Sequence, residues 1–588
     1  MQKFWIFLAA ALVACFPALA QQPSIHGVPA VTAKAAATPK LRLPPLSAAV
    51  TTLAPVSVGE MASFKQARRN ATKRTAIGIE RSVGTTQLPS SGDLAWKSVD
   101  GGTAAQLAVS SPQAGAMRLA VDLSAIPMSV EIVAFGSGAP SRLEGPVRVG
   151  DIVDRTQPWW SPITDGDTQT LEFFVPKGID AASLQFRVTG VSHLFTTLAS
   201  GLRKDSSEIG ASGACNVDVK CSTLYPTLAF QNMRNAVAEM VMQDGRNIFE
   251  CTGQLLNDVS STHTPWFFSA NHCFDNEDPP YKTPAEMQTV ANTLQTLWFF
   301  EAVTCSHPPD QTVPNFVQLN GGSTYLYSNQ PSDVLMVKLN SAAPTGTFFA
   351  GWNANALAVG TAVVVTHHPS GDLKKVSQGS LVADSTFPGT TATNLFNEVK
   401  YSSGTTEPGS SGSGLFSFDG TEYQLRGALF GGAAACVSQT STVTNTESDW
   451  YSQFDKAYAA LQPFLSPAIV PAANYSDLWW NANESGWGLN IVQHTSNLVF
   501  AVWFVYASND SPTWYTFTNG TWVSPTTYTG QVFATTGPAA SSATFNGSSV
   551  TVRQAGVGTL TFSDSSHGTF SYTIDGVTGQ KAITRQPF

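Results

Sequence analysis

The chain contains the segment Glu407-Pro408-Gly409-Ser410-Ser411-Gly412-Ser413-Gly414, which runs directly into the apolar pair Leu415-Phe416. In isolation this segment is equally well explained as a glycine-serine turn at the start of a strand. A nucleophilic serine, however, needs backbone N–H groups that converge on a developing oxyanion, and small neighbours let the substrate approach the backbone closely. Ser411 is therefore a candidate nucleophile, with the N–H groups of Gly409 and Ser411 as candidate oxyanion donors.

Two further segments contain side chains that commonly accompany a nucleophilic serine. Residues 267–273 read Phe-Phe-Ser-Ala-Asn-His-Cys, an apolar strand that ends in His272 and is followed at once by a cysteine. Residues 332–339 read Ser-Asp-Val-Leu-Met-Val-Lys-Leu, with Asp333 at the start of an alternating strand. Taken singly, the histidine fits an ordinary core or loop position and the aspartate an ordinary strand start. Each is weak evidence by itself.

The order of these three side chains along the chain distinguishes between scaffolds. Histidine, then aspartate, then serine is the order of the chymotrypsin class, whereas subtilisins begin with aspartate and α/β-hydrolases with serine. The hydrolase elbow G-x-S-x-G is also missing, because residues 409–413 read Gly-Ser-Ser-Gly-Ser. The sequence thus predicts an all-β fold with a chymotrypsin-like double β-barrel and a site in the crevice between the barrels.

Composition limits the class of protein. The 588 residues correspond to three or four domains at roughly 100–200 residues each, and 43% of them are hydrophobic, which is enough for several packed cores. With 32 Lys and Arg against 41 Asp and Glu, the formal charge is −9, so a nucleic-acid partner is not expected. The 47 Gly and 35 Pro residues favour strands joined by turns.

The first 20 residues have the pattern of a signal peptide. Met1-Gln2-Lys3 is a short basic lead, an apolar run follows to Ala14, and Ala18-Leu19-Ala20 fits a small-residue cleavage site. The apolar run is shorter than the about 20 residues that cross a bilayer, and no later run reaches that length, so no transmembrane segment is expected. The sequence predicts a secreted protein. Because Leu12-Val13-Ala14-Cys15 also fits a lipoprotein cleavage box, lipid anchoring at the cell envelope is the alternative.

Six cysteines besides Cys15 fall in one central region, at Cys215, Cys221, Cys251, Cys273, Cys305 and Cys436. An even number in an exported chain suggests three disulfides, for which 15 pairings are possible from the sequence alone. No two of them are spaced as C-x-x-C, so neither a metal site nor a thioredoxin-type site is expected, and no cofactor is indicated. The cysteines mark one disulfide-stapled domain between two that lack cysteine.

Composition also changes along the chain and predicts six parts. Residues 21–58 are rich in Ala, Pro and Thr, and residues 466–473 have the composition of a Pro/Ala linker. Period-two alternation of apolar residues predicts strands on either side of the central region. The predicted parts are a signal peptide (1–20), a flexible leader (21–74), a β-rich, sandwich-like domain (75–209), the domain with the three segments (210–465), a linker (466–474) and a C-terminal β-rich domain (475–588).

The region of about 210–460 resembles the bacterial lysyl endopeptidases, a branch of the trypsin-like serine proteases. The matching motifs are residues 210–218, which are similar to the family's mature amino terminus, Cys251-Thr252-Gly253, Asn271-His272-Cys273, His367-His368-Pro369 and residues 406–413. By this resemblance His272 is the general base, Asp333 its orienting partner and Ser411 the nucleophile of a secreted serine endopeptidase with polypeptide substrates. The family's disulfide pattern would pair Cys215 with Cys436, Cys221 with Cys305 and Cys251 with Cys273.

By the same resemblance, a carboxylate selects the substrate side chain. Trypsin has its pocket carboxylate six residues before the nucleophile, and that position here is Thr405. The lysyl endopeptidase motif corresponds instead to Ser448-Asp449-Trp450-Tyr451, which makes Asp449 the candidate and Glu447 the second choice. A lysine ammonium about 4 Å from a carboxylate gains on the order of 4 kcal/mol at an effective dielectric of 20. A surface-turn position for Asp449 is the alternative.

One departure from the family falls near this pocket. Where the family has Leu-His-Gly-Gly, this chain has Leu429-Phe430-Gly431-Gly432. Gly431 and Gly432 still suit an extended edge that pairs with the substrate backbone. Loss of the histidine could change the pH dependence of the enzyme or its preference for lysine.

Activation is expected to differ from that of the pancreatic enzymes, in which an aspartate just before the nucleophile pairs with a new amino terminus. Here that residue is Ser410, so the ion pair cannot form. The N-terminal region resembles the β-domains that precede such proteases in other bacterial precursors, and is expected to be an intramolecular inhibitor or folding aid. The family's mature start corresponds to Gly210, preceded here by Ile209, and the nearest basic site for self-cleavage is Lys204-Asp205.

Two other functions remain open from the sequence. One is an adhesion or carbohydrate-binding protein with an inert protease domain, since the aromatic C-terminal domain could stack on sugars. That domain is similar, through residues 478–488, to a β-domain appended to many exported proteins. The intact histidine, aspartate and serine count against this function. The other is a trypsin-like protease with a different side-chain preference.

Overall fold

The chain forms two compact units, Met1–Ser466 and Pro467–Phe588. The computed structural model describes residues 23–587 except 32–37, 46–49, 71–73, 85–87, 199–211, 276–278, 306–314, 389–392, 468, 540 and 542–543. The expected signal peptide, Lys204-Asp205 and Gly210 lie outside the described residues. The predicted all-β class is confirmed, because the described chain is built mainly of strands. None of the described helices has both the length and the apolar character needed to span a bilayer.

The N-terminal part of the first unit is a β-sandwich. Its elements are helix α1 (Val58–Asn70) and strands β1 (Ser24–Ile25), β2 (Val28–Pro29), β3 (Val50–Thr52), β4 (Thr75–Glu80), β5 (Lys97–Val99), β6 (Gly102–Ser110), β7 (Ala116–Asp122), β8 (Glu131–Gly136), β9 (Glu144–Arg148), β10 (Trp159–Trp160), β11 (Thr164–Asp165), β12 (Thr168–Pro176) and β13 (Arg187–Leu194). One sheet has the order β3-β6-β12-β8-β9, and β10-β7-β13-β4 belong to the other. Leu107, Leu119 and Leu171 lie buried in the core that the two sheets share.

Residues 21–74, for which a flexible leader is expected, contain ordered elements. Strands β1 and β2 pair with Trp352–Asn353 and Phe348–Phe349 of the later chain. Helix α1 buries Phe64, which is 4% exposed. The physical reason is apolar spacing: Met61, Phe64 and Ala67 recur every three residues, so they share one face of a helix and pack on one core.

The remainder of the first unit contains the three segments singled out in the sequence. Its elements are helices α2 (Leu228–Asn235), α3 (Pro284–Ala291) and α4 (Phe454–Leu465) and strands β14 (Val217–Asp218), β15 (Val237–Asp244), β16 (Asn247–Leu256), β17 (Trp266–Ser269), β18 (Gln295–Trp298), β19 (Val317–Leu319), β20 (Ser323–Asn329), β21 (Val334–Leu339), β22 (Phe348–Phe349), β23 (Trp352–Asn353), β24 (Ala362–His367), β25 (Lys375–Ser385), β26 (Phe396–Ser403), β27 (Gly414–Phe418), β28 (Tyr423–Gly432) and β29 (Ser448–Ser452).

These strands form the predicted chymotrypsin-like double barrel. The first barrel follows the antiparallel order β18-β15-β16-β17-β21-β20. The second follows β24-β25-β26-β29-β28-β27 and closes as a ring, because β27 pairs again with β24. Phe267 and Trp298 are fully buried inside the first barrel, and Val365 and Tyr451 inside the second.

Strand β4 joins the sandwich to the first barrel. It pairs with β13 of the sandwich on one side and with β16 of the barrel on the other, so the two sheets are continuous. Arg118 on β7 also lies in the contact between the sandwich and the first barrel. It belongs to the alternating stretch 118–123 but is fully buried, and its Nη1 donates to the carbonyl of Thr293 at 2.8 Å. The polar face of this sandwich sheet is therefore covered by the barrel.

The second unit is a closed eight-stranded barrel. Its strands are β30 (Asp477–Trp480), β31 (Gly488–Gln493), β32 (Val499–Tyr506), β33 (Pro512–Ser524), β34 (Thr527–Thr536), β35 (Thr551–Phe562), β36 (His567–Ile574) and β37 (Val577–Arg585). Trp479 and Tyr528 are fully buried in its interior. Phe504 and Trp514 stand opposite each other on neighbouring strands and are about half exposed.

Two tryptophans in contrasting positions test the core of this second barrel. Trp479 is fully buried, whereas Trp514 is 51% exposed. We expect Trp479→Ala to lower the local free energy of unfolding by about 3–5 kcal/mol because it leaves a large cavity, and Trp514→Ala by less than about 1 kcal/mol. Hydrogen exchange of residues 475–587 in the full chain, read by mass spectrometry, measures both effects. Equal losses of protection in the two variants would contradict this core.

Candidate active site

Strand pairing brings His272 and Asp333 together. β17 pairs with β21, with Ser269 opposite Leu335. His272 lies in the short 3₁₀ turn that follows β17, and Asp333 lies immediately before β21. Residues 61 positions apart thereby become neighbours. Asp333 has a φ of 53°, in the left-handed region that residues other than glycine seldom adopt and that is frequent at functional sites.

Asp333 holds His272 through two hydrogen bonds. Its Oδ1 accepts the backbone N–H of His272 at 2.9 Å, and its Oδ2 lies 2.8 Å from the ring nitrogen Nδ1. Both side chains are nearly buried, with 4% and 2% exposed. Because an ionised carboxylate only accepts, Nδ1 carries the proton of the neutral ring. Nε2 is then the acceptor nitrogen, and it is buried without a hydrogen-bond partner among the described residues.

The nucleophile loop, residues 405–412, packs against the end of β17. Ser411 is 2% exposed, and its carbonyl oxygen lies 3.8 Å from Sγ of Cys273. Gly412 has a φ of 80°, and a Cβ atom at this position would lie 2.0 Å from Oγ of Ser269. Only glycine allows so close an approach. The loop is thereby fixed beside the turn that carries the candidate general base.

The candidate oxyanion donors lie on backbone that is held at two points. Gly409 has a φ of 98°, and a Cβ atom there would lie 2.8 Å from the carbonyl oxygen of His368. The carbonyl of Gly409 accepts the hydroxyl of Thr252 at 3.0 Å, and the carbonyl of Ser411 accepts the N–H of Thr252 at 2.8 Å. One residue of β16 therefore holds the loop on both sides of the Ser411 N–H and directly after the Gly409 N–H.

Three disulfides connect the cysteines in the pattern implied by the family resemblance. The pairs are Cys215–Cys436, Cys221–Cys305 and Cys251–Cys273. The third bond attaches the residue that follows His272 to strand β16. Cys251, His272 and Cys273 lie close enough for a shared metal ion, but both sulfurs are bonded to each other and offer no thiolate. The third bond therefore acts as a structural anchor for the histidine turn.

Asp449 lies on β29, opposite Gly432 of β28. It is 1% exposed, Oδ1 accepts the N–H of Ala434 at 3.2 Å, and Oδ2 accepts the hydroxyl of Thr406. Burial raises the pKa of Asp449 to about 6, although these two hydrogen bonds and one with Tyr401 oppose the shift. Among the described side chains no cation pairs with this carboxyl. A cationic ligand would therefore meet a carboxyl whose negative charge is stabilised by hydrogen bonds but by no cation among the described side chains.

The segment with the family departure lies between this carboxyl and the candidate general base, His272. A Cβ atom at Gly432 would lie 2.4 Å from Oδ1 of Asp449, so glycine lets the strand pass beside the carboxyl. Gly431 has a φ of 137°. Phe430 stands edge-on to the ring of His272, with 6.0 Å between the ring centroids. Phe430 thus makes an apolar contact with the histidine and cannot titrate.

Several polar groups around the loop were not assigned a role from the sequence. Nδ1 of His367 lies 2.8 Å from Oγ of Ser410. Oε1 of Glu407 accepts the N–H of Gly213 at 2.9 Å, which joins the loop to the beginning of this region. Glu250 on β16 is 1% exposed, and burial raises its pKa. The His-His-Pro motif was a signal for the first group, but a single glutamate in a strand or loop carries none.

Comparison with known proteins identifies the relatives of this chain. A family model described as "Lysyl endopeptidase, C-terminal domain" matches residues 209–452, and one described as "Lysyl endopeptidase N-terminal domain" matches residues 51–195. The lysyl endopeptidase of Pseudomonas aeruginosa is 33% identical over 377 residues, which cover 63% of this chain and 76% of that protein. The chain belongs to the lysyl endopeptidase family. It is accordingly a serine endopeptidase, and its substrates are polypeptides.

Solved protease structures give a more distant likeness. The active form of the Rv3671c protease from M. tuberculosis is 14% identical, with a TM-score of 0.26, over 44% of this chain and 90% of that one. The protease domain of MamO from Magnetospirillum magneticum is 10% identical, with a TM-score of 0.25, over 39% of this chain and 98% of that one. At these values the two structures add nothing to the family assignment.

Asp449 is expected to make the stability of the second barrel depend on pH. Its pKa rises from 3.8 to about 6 on folding, so its stabilising contribution is complete below pH 3.8 and is lost as the pH rises through 6. Asp449→Asn is uncharged at every pH. We therefore expect it to stabilise the protein at pH 8 by on the order of 1–3 kcal/mol and to have little effect near pH 3.5.

Thermal unfolding of Ser411→Ala chains, which avoids self-digestion, measures this effect. Asp384→Asn is the matched control, because Asp384 is exposed on strand β25 of the same barrel. The control is expected to unfold like the parent at both pH values. Destabilisation of the Asp449 variant at pH 8 would contradict the raised pKa.

Proposed function

We propose that this lysyl endopeptidase family member is a secreted enzyme that cleaves after lysine, with His272, Asp333 and Ser411 as its catalytic triad. The observation that carries the proposal is the pair of hydrogen bonds between His272 and Asp333 beside the nucleophile loop. The order of the three side chains along the chain and the identity with a lysyl endopeptidase add independent support. An inert binding protein would have no need of this arrangement.

The proposed mechanism assigns one role to each side chain. Nε2 of His272 accepts the hydroxyl proton as Ser411 attacks the peptide carbonyl, and the imidazolium later returns this proton to the leaving amine. Asp333 keeps the other ring proton on Nδ1 and stabilises the imidazolium charge. The N–H groups of Gly409 and Ser411 bind the oxyanion, and loss of such a donor typically costs about 2.7–4 kcal/mol of transition-state stabilisation.

We infer that Asp449 binds the lysine ammonium. Its carboxyl is buried, has no cationic partner among the described side chains and is bonded to Thr406 of the nucleophile loop. An approaching cation lowers the pKa of a carboxyl, so lysine would draw Asp449 into its charged form. Gly431 and Gly432 would form the edge that pairs with the substrate backbone. The family's histidine is absent here, so no titrating side chain at position 430 competes with the lysine.

We infer that the N-terminal part is a pro-region that supports the catalytic histidine turn. Strand β4 pairs with β16 as far as Glu250, the residue before Cys251. Arg74, next to β4, donates from Nη1 to the carbonyl of Cys273 at 3.2 Å and pairs through Nη2 with Asp244 at 2.8 Å. These contacts reach the residue adjacent to the general base. They support a folding aid, and intramolecular inhibition remains the second role of the same contacts.

Export is proposed on two grounds. The pattern of residues 1–20 is that of a signal peptide, and the three disulfides are typical of proteins outside the reducing cytoplasm. A secreted enzyme accounts for both. Lipid anchoring through Cys15 at the cell envelope is the alternative, and mass spectrometry of the mature amino terminus distinguishes the two forms.

Digestion of a peptide library tests the proposed function. We expect cleavage after lysine and much slower cleavage after arginine. We expect Asp449→Asn to lower kcat/KM for Lys–X bonds by about 100- to 1,000-fold, because a charge pair on the order of 4 kcal/mol is lost. Glu447→Gln is the matched control, because Glu447 is exposed two residues away, and its kinetics should equal those of the parent.

A fluorophosphonate probe tests the triad in the same preparations. The parent is expected to be labelled, and Ser411→Ala is expected to lose both labelling and cleavage. Cleavage after aliphatic or acidic residues by the parent would remove Asp449 from its role. A parent that is neither labelled nor active would favour the inert binding protein.

A second prediction concerns the pro-region contacts of Arg74. In the Ser411→Ala full chain, Arg74→Ala is expected to reduce the refolded yield of molecules with all three disulfides, because the turn after His272 loses a charged hydrogen-bond donor. Arg155→Ala is the control, since Nη1 of Arg155 donates to the carbonyl of Ile126 within the N-terminal part. Thiol alkylation and mass spectrometry count the disulfides. Equal yields in the two variants would contradict the folding-aid role.

A further inference from the structure

Ser410, the residue just before the candidate nucleophile, is held from the buried side of the loop. Its Oγ lies 2.8 Å from Nδ1 of His367 and accepts the backbone N–H of Glu407 at 3.2 Å. Ser410 and His367 are both fully buried. In the pancreatic enzymes an aspartate with an ion pair takes this place in the chain. Here the contact joins a hydroxyl and an imidazole.

The hydrogen-bond partners of His367 determine which of its ring nitrogens carries the proton. Oγ of Ser377 donates to the carbonyl of Thr405 at 2.7 Å, and the same oxygen lies 3.0 Å from Nε2 of His367. A hydroxyl has a single proton, so Ser377 must accept from the ring, and Nε2 carries the ring proton. Nδ1 is then an acceptor, and the hydroxyl of Ser410 donates to it. Burial and the nearby Lys375 lower the pKa of His367 to about 3, which keeps the ring neutral.

One imidazole therefore connects two points of the nucleophile loop. Through Ser377 it reaches Thr405 at the start of the loop, and directly it reaches Ser410 near the end. Thr406, between these points, donates its hydroxyl to Asp449. The ring itself is fixed because His367 is the last residue of β24, paired with Lys375 of β25. Strands β24 and β25 of the second barrel thus fix the backbone of the nucleophile loop from its buried side.

We propose that His367 is a positioning residue, which holds the nucleophile loop in its reactive conformation through Ser410 and Ser377 in place of an ion pair to a new amino terminus. The inference rests on the proposed function, because His367 acts only through Ser411 and touches no substrate. It makes no bond and moves no proton in the reaction. It belongs to the enzyme before and after any processing.

Kinetics of His367 variants of the full enzyme with a lysyl peptide substrate test this role. His367→Phe keeps a ring but removes both hydrogen bonds, and we expect kcat to fall about 10- to 100-fold with KM changed less than about threefold, since a displacement of about 1 Å in a reacting group can cost on the order of 100-fold. His367→Asn keeps an acceptor for Ser410 and should recover part of kcat. Ser377→Ala should lower kcat by about 3- to 10-fold.

Ser452→Ala is the matched control for Ser377→Ala. Ser452 is a fully buried serine of the same barrel, and it accepts the N–H of Ala428 at 3.0 Å. Its removal should leave kcat unchanged. A kcat for His367→Phe within about twofold of the parent, or an effect confined to KM, would overturn the proposal.

Two further comparisons keep the test decisive. If His367→Phe does not fold, equal kcat values for Ser377→Ala and Ser452→Ala overturn the role of the ring. Ser411→Ala is assayed alongside. If this variant is active, the proposed triad is wrong, irrespective of the kinetics of the His367 variants. Reduced kcat in the His367 variants together with an inactive Ser411→Ala supports both conclusions.

Discussion

The antiparallel pairing of β17 with β21 is the constraint on which the candidate site depends. It sets the end of one strand beside the start of the other, which brings the His272 ring next to the Asp333 carboxylate. A shift of one residue in this register would turn the side chains of β21 to the opposite face of the sheet and separate the pair. Ser411, the third residue of the candidate site, is brought close by Gly412. Because Gly412 has no Cβ atom, the nucleophile loop can contact β17 at Ser269.

This dependence explains how much could be predicted. The order of His272, Asp333 and Ser411 along the chain is a property of the barrel connectivity, so the fold could be inferred from three short segments. The count of cysteines predicted three disulfides, but their pairing came only from the family resemblance. The residues themselves left 15 pairings, because the spacing of cysteines along the chain does not determine their distances in the fold.

Other features depend on contacts that one sequence does not record. Arg118 occupies a polar position of an alternating strand and is nevertheless buried, because a second sheet happens to cover that face. Met61, Phe64 and Ala67 do form a helical pattern, but they directly follow a stretch rich in Ala, Pro and Thr, and composition predicts a flexible leader through residue 74. The partners of His367 come from β25 and from the loop, so its motif suggested no role.

Burial of Arg118 in the interface between the sandwich and the barrel is energetically unfavourable, because its guanidinium loses water. The guanidinium is fully buried, burial lowers its pKa to about 9, and its Nη2 has no hydrogen-bond partner in the described part of the chain. A desolvated cation that is only partly compensated weakens an association, because hydration returns when the surfaces part. The covalent connection holds the two parts together regardless of this penalty. If that connection were cut, the same arginine would favour dissociation of the two parts.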